Sequence, residues 1–151
     1  MPLKYTPDNI SSLLPNQIFV FGSNLAGKSG AGAAKFAVKN FGAKYGVGEG
    51  LTGQCYAFPT KDENIKTMSL EQIQSHIPAF LKCCDDYPEK EFLLTKIGTG
   101  LANLSIKEVA LLFGCFELPP NLVLPREFAE IIQEKEELIR LSQENWEKSS
   151  I

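Results

Sequence analysis

Short apolar runs that stop at glycine or proline alternate along this chain with stretches of helical periodicity, and that alternation limits the fold more than any other feature. Residues 17–21 (QIFVF) are apolar, rich in β-forming side chains and followed by Gly22, the pattern of a buried strand. From about Gly30 to Phe41, the residues Ala33, Ala34, Phe36, Ala37, Val38 and Phe41 give a wide apolar helix face. QCYAFPT (54–60) predicts a second strand, stopped by Pro59. EFLLTKI (91–97) predicts a third and NLVLP (121–125) a fourth. Between them, Ser69 with Gln72 has capping-box spacing and opens a helix to about Asp86, with a kink or break near Ile77 because Pro78 interrupts the pattern. Ser105 with Glu108 opens another helix, to about Phe113, and Pro125 introduces a long charged helix to about residue 147. The remaining stretch GAKYGVGEGLTG (42–53) is too rich in glycine for either regular element and is expected to be a long surface loop. Strands alternating with helices imply an α/β domain with a mostly parallel sheet covered on both faces. Ligands of such sheets bind beyond the carboxyl ends of the strands, where this chain places GSNLAGKSGAG and GTGLANL.

A chain of 151 residues with 44% hydrophobic and 22% charged residues is expected to form one globular domain, 1–151, without linker or repeat. No apolar run reaches the roughly 20 residues of a membrane span, and MPLKYTPDNI lacks the charged-then-apolar order of a signal peptide, so no membrane partner and a cytoplasmic location are expected. The net charge of -3 argues against a broad basic surface for nucleic acid, which enters only as a modified substrate. None of the four cysteines has C-x-x-C spacing; reduced, mostly buried thiols are expected, with no metal and no cofactor.

The segment Gly22-Ser23-Asn24-Leu25-Ala26-Gly27-Lys28-Ser29 fits the triphosphate-binding pattern G-x-x-x-x-G-K-[ST] at every position, after a strand and before a helix. A triphosphatase also needs an acidic residue after an apolar strand to hold magnesium, and neither Leu94-Thr95-Lys96-Ile97 nor Val123-Leu124-Pro125 supplies one. Ser29 is followed by Gly30, Ala31, Gly32 and Ala33, where two glycines in a first helical turn would cost about 1 kcal/mol each relative to alanine. They read better as backbone that approaches a ligand closely, so residues 22–33 form one glycine-rich cradle facing an anion, Gly22, Ser23 and Gly27 included.

FVFGSNLAGKSGAGAAKFA, GEGLTGQCYAFPTKDENIKTMSLEQI and IGTGLANLS, in this order, resemble the small stand-alone macro-domain-like proteins of bacteria and their phages, over about residues 5–128. The resemblance implies a three-layer fold, a mixed sheet between helical layers, with a cleft for ADP-ribose or an ADP-ribosylated molecule. It places Asn24 at the distal ribose, Gly30, Ala31, Gly32 and Ala33 in a first diphosphate loop, and Gly98, Thr99, Gly100 and Leu101 in a second. Asp8 or Asn9 has the spacing of the acidic residue that meets adenine, although TPDNI departs from the usual Gly-Asp-Ile.

Hydrolysis of an ADP-ribosyl linkage would need a positioned water, for which Asp62 is the candidate beside Asn24; a surface turn is the blander reading of Asp62 and ranks first. Glu49 in the glycine-rich loop is a similar candidate. His76, the single histidine, falls mid-helix and reads as a surface residue. Two alternatives stay open: a magnesium-dependent triphosphatase, and a binding module without turnover. The charged terminal helix carries Leu138, Leu141 and Trp146 among its apolar positions; a packed or solvated terminal helix is the reading that ranks first, and an exposed Trp146 would mark a dimer contact.

Overall fold

The computed structural model describes residues 4–149. Eleven elements follow one another among them: β1 (Tyr5–Thr6), β2 (Gln17–Asn24), α1 (Gly32–Phe41), β3 (Gly50–Thr52), β4 (Cys55–Lys61), α2 (Leu70–Gln74), α3 (Ile77–Asp86), β5 (Glu91–Leu94), α4 (Ile106–Phe113), β6 (Leu122–Pro125) and α5 (Arg126–Ser149). The strands form one mixed sheet in the order β1-β6-β5-β2-β4-β3. Every pairing is parallel except β3 with β4.

Strand alternation divides the core between the two faces of this sheet. Phe19 and Phe21 of β2 and Cys55 and Ala57 of β4 point toward α1, whose Ala34 and Ala37 let the helix lie close to the strands. Ile18, Val20, Tyr56 and Phe58 point the other way, into a larger core that also takes Ile73, Ile77, Phe80, Phe113 and Phe128 from α2 to α5. Phe80 lies edge-on to the rings of Phe58, Phe92 and Phe113 with centroids 5.7 to 6.3 Å apart, an arrangement that aromatic quadrupoles favour.

Several sequence expectations need correction. Pro59 does not stop the second strand, which runs on to Lys61 with Ser23 opposite Pro59. β3 pairs only with Cys55, Tyr56 and Ala57, so beside Pro59 that edge of β4 has no strand to which a missing N–H would matter. The glycine-rich stretch 42–53 is not wholly a loop, since β3 is folded from it; the two-residue β1 had no apolar run to reveal it. The third strand ends at Leu94 rather than Ile97. The first helix begins at Gly32, and Pro125 closes β6 while α5 starts at Arg126. The break near Ile77 is present: α2 ends at Gln74 and Pro78 stands in the first turn of α3, where its absent N–H costs nothing. His76 is accordingly the N-cap residue of α3 and not a mid-helix residue. No helix among the described residues is long and apolar enough to cross a membrane.

Candidate functional site

From β2 the chain moves outward to β4 in one direction, and from β5 to β6 in the other, so the sheet has its topological switch between β2 and β5. Two loops leaving neighbouring carboxyl ends in opposite directions open a crevice. Here a cavity of ≈ 710 Å³ lies between the loop after β2 and the loop after β5, lined among others by Gly22, Ser23, Asn24, Gly30, Ala31, Gly98, Gly100 and Leu101. A second lobe of ≈ 580 Å³ is lined by residues 6–11 together with Phe19, Phe36 and Pro125. Gly32, Ala33, Thr95 and Lys96 line both lobes, so the N-terminus of α1 forms the ridge between them.

That helix start is chemically open. Ser69 and Ser105 cap α2 and α4 with side-chain hydrogen bonds, whereas Ala31 gives α1 none, and the first turn of α1 holds no acidic residue. The N–H groups of the first turn and the positive end of the helix dipole are therefore left for whatever occupies the cleft. Gly32 sits at φ 60, and a Cβ there would lie 3.0 Å from Leu101 Cδ1 of the opposite loop. Leu101, 68% exposed, thus arches over the helix start.

The first loop is held from two sides. β2 continues through Gly22 and Ser23 to Asn24, after which Asn24 Nδ2 donates to the Lys28 carbonyl (2.8 Å) and the Lys28 N–H donates to Asn24 Oδ1 (3.0 Å). This ring fixes residues 24–28 and leaves Asn24 one N–H and one lone pair for a ligand. Gly27, at φ 70, packs on Gly46, whose N–H donates to its carbonyl at 2.8 Å; Ser23 Oγ donates to the Gly48 carbonyl. The second loop turns at Gly98 (φ 76), whose carbonyl accepts from Leu104 N–H at 2.7 Å. Thr95 Oγ1 donates to the Val20 carbonyl at 2.7 Å and ties the loop to β2.

Most of the residues anticipated from the sequence line one lobe or the other, and four line neither. Asp8 and Asn9 line the second lobe, away from Asn24. Gly27 is absent from the lining because its role is the close packing on Gly46. Thr99 is also absent, its hydroxyl donating to the Lys96 carbonyl at 2.7 Å. Asp62 lines neither lobe: its Oδ1 accepts the N–H groups of Asn64 (2.8 Å) and Lys66 (3.0 Å), the turn role that ranked first. Glu49 is likewise outside both lobes, with Oε2 2.7 Å from Nδ1 of His76.

Electrostatically the larger lobe is one-sided. Its titratable lining residues are Lys28, Tyr45, Lys61 and Lys96, with no Asp, Glu, His or Cys. Lys96 is shared with Glu127 (2.6 Å) and, more distantly, Asp8 (3.9 Å). The Glu127 hydrogen bond raises the Lys96 pKa, and the Lys96 hydrogen bond holds the Glu127 carboxyl below its ordinary value. Lys28 and Lys61 make no ion pair among the described residues. Lysines 61 and 96, Thr95 and Tyr45 were not picked out as lining residues from sequence; for Lys61, Thr95 and Lys96 the available signal was position, at or within two residues of a strand carboxyl end. No group of three or more His, Cys, Asp or Glu among the described residues is placed to hold a metal ion.

Protein-family models, curated proteins and solved structures offer no match to this chain.

The triphosphate-loop spelling has the wrong backbone for its chemistry. Such a loop must wrap the phosphates between a strand that ends at its first glycine and a helix that starts at its Lys-Ser pair. In this chain Gly22, Ser23 and Asn24 are still strand, and three residues separate Lys28 from the start of α1 at Gly32.

Proposed function

We propose that the cleft binds ADP-ribose or a closely related nucleoside diphosphate, within a macro-domain-like fold. The observation that carries this reading is the ridge between the two lobes, where an uncapped helix N-terminus faces a second glycine loop. A diphosphate laid across Gly32 and Ala33 would take backbone N–H groups at a positive helix end, with Lys96 alongside. The lobe lined by Phe19, Phe36, Ile10 and Pro125 offers apolar walls to a nucleobase, and Asp8 and Asn9 offer polar edges. The larger lobe takes the distal ribose, where Asn24 keeps one donor and one acceptor and Lys28 and Lys61 add positive charge.

Binding without turnover is the form of this function that the geometry favours. Removing an ADP-ribosyl group requires a water activated beside the ribose, yet no carboxylate or imidazole lines that lobe and Asp62 is committed to its turn. Calorimetric titration with ADP-ribose, AMP and ribose 5-phosphate tests the reading. ADP-ribose should bind more tightly than either half, since only it occupies both lobes and the ridge. Equal affinity for AMP and ADP-ribose would remove the distal lobe from the site. Magnesium-dependent ATP hydrolysis that disappears in Lys28→Ala would replace the proposal with the triphosphatase reading.

A further inference from the structure

Helix α5 outlasts the domain it belongs to. Phe128, Ala129 and Ile132 are buried in the core, but from residue 136 to 149 every side chain is exposed. At 1.5 Å per residue these last turns project about 20 Å beyond the packed part. A helix bathed in water has no reason to sort its residues, and this one is sorted. With about 100° per residue, Leu138, Ile139, Leu141, Ser142, Asn145 and Trp146 fall within one arc of about 160°. All charged residues of the segment, from Glu136 to Lys148, fall in the opposite arc of about 120°. Leu138 is 61% exposed and Ile139 47%. Ile131 and Ile132 pack against the domain, whereas Leu138, Ile139 and Leu141, further along the helix, stand in water.

We propose that this stripe is covered by the same stripe of a second copy of the chain, running antiparallel about a two-fold axis at Leu141. The flanking charges select that partner. Glu134 lies seven residues before Leu141 and Lys148 seven after it, in one row with Leu141 along the edge of the stripe, and neither makes an ion pair among the described residues. With Leu141 on the axis, each Glu134 faces the partner's Lys148, so one helix supplies both halves of two ion pairs, as an isologous interface requires. The seam between the helices is closed at both ends by these pairs. It is also short, at the small end of specific interfaces, so the dimer dissociates on dilution.

Sedimentation equilibrium of the full chain between about 10 µM and 1 mM tests this, without reference to any ligand in the cleft. Wild type should show a concentration-dependent monomer–dimer equilibrium. Leu141→Glu sets two carboxylates against each other on the axis and should raise the dissociation constant at least about a hundredfold. Glu134→Lys and Lys148→Glu should each raise it about tenfold, while the double reversal Glu134→Lys with Lys148→Glu should return it to the wild-type value. All three positions are exposed, so unchanged thermal melts are expected to accompany these shifts. A wild-type chain that remains monomeric at 1 mM overturns the proposal, as does a dimer indifferent to Leu141→Glu. Failure of the double reversal to restore association would exclude the antiparallel register.

Discussion

Gly32→Glu puts a side chain on the ridge between the two lobes, and its consequences separate into a folding part and a binding part. The folding part is measured by Gly32→Ala. At φ 60 any Cβ costs about 1–2 kcal/mol, and the nearest atom, Leu101 Cδ1 at 3.0 Å, is the end of an exposed side chain that can yield. Either variant should therefore melt a few degrees below wild type, by about 2–4 °C per kcal/mol for a chain of this size. The binding part belongs to the carboxylate. About 5 Å from a diphosphate charge at an effective dielectric of 20, it is repelled by about 3 kcal/mol per unit charge. Two such charges, discounted by half for an open cleft, still leave about 3 kcal/mol, or roughly a hundredfold in affinity. Calorimetry with ADP-ribose should thus show modest weakening in Gly32→Ala and loss of measurable binding in Gly32→Glu. A folded Gly32→Glu protein whose dissociation constant stays within about threefold of wild type would refute the placement of the diphosphate on this ridge.

Gly27→Ala should be far more damaging to the fold than Gly32→Ala, because its Cβ would lie 2.3 Å from the backbone carbon of Gly46, which cannot rotate away; a loss above about 3 kcal/mol in urea unfolding is expected. Native thiol titration should modify Cys115 first, since it is exposed, whereas burial pushes the Cys55 thiol up to about 12 and raises Cys84 and Cys83 as well; denaturation should release all four. Glu127 is held below the ordinary carboxylate value of 4.5 by Lys96, so its contribution is in place above that value and disappears as the pH falls through the lowered native one. Both groups are more than a third exposed, which limits the effect to below about 1 kcal/mol. Glu127→Gln should accordingly be less stable than wild type near neutral pH, with the difference shrinking as the pH falls below 4.5, judged by urea midpoints.

What the sequence determined by itself is whatever neighbouring residues decide among themselves. The apolar runs at 17–21 and 91–97, the capping residues Ser69 and Ser105, and the interruption at Pro78 act through backbone torsions and bonds a few residues long, and each produced its element, the second run as a strand that ends at Leu94. The two glycine loops were legible for the same reason: their composition is local. The tertiary structure decided matters that depend on residues far apart in the chain. Pro59 continues a strand because β3 ends before reaching it, and Gly27 is glycine because Gly46 touches it. Thr99 and Asp62 spend their oxygens on nearby backbone once the loops are folded, and Asn24 is held by Lys28. The joining of two lobes at the start of α1 comes from the order of strands in the sheet, which no local pattern encodes, because parallel neighbours are brought together only by packing across long connections.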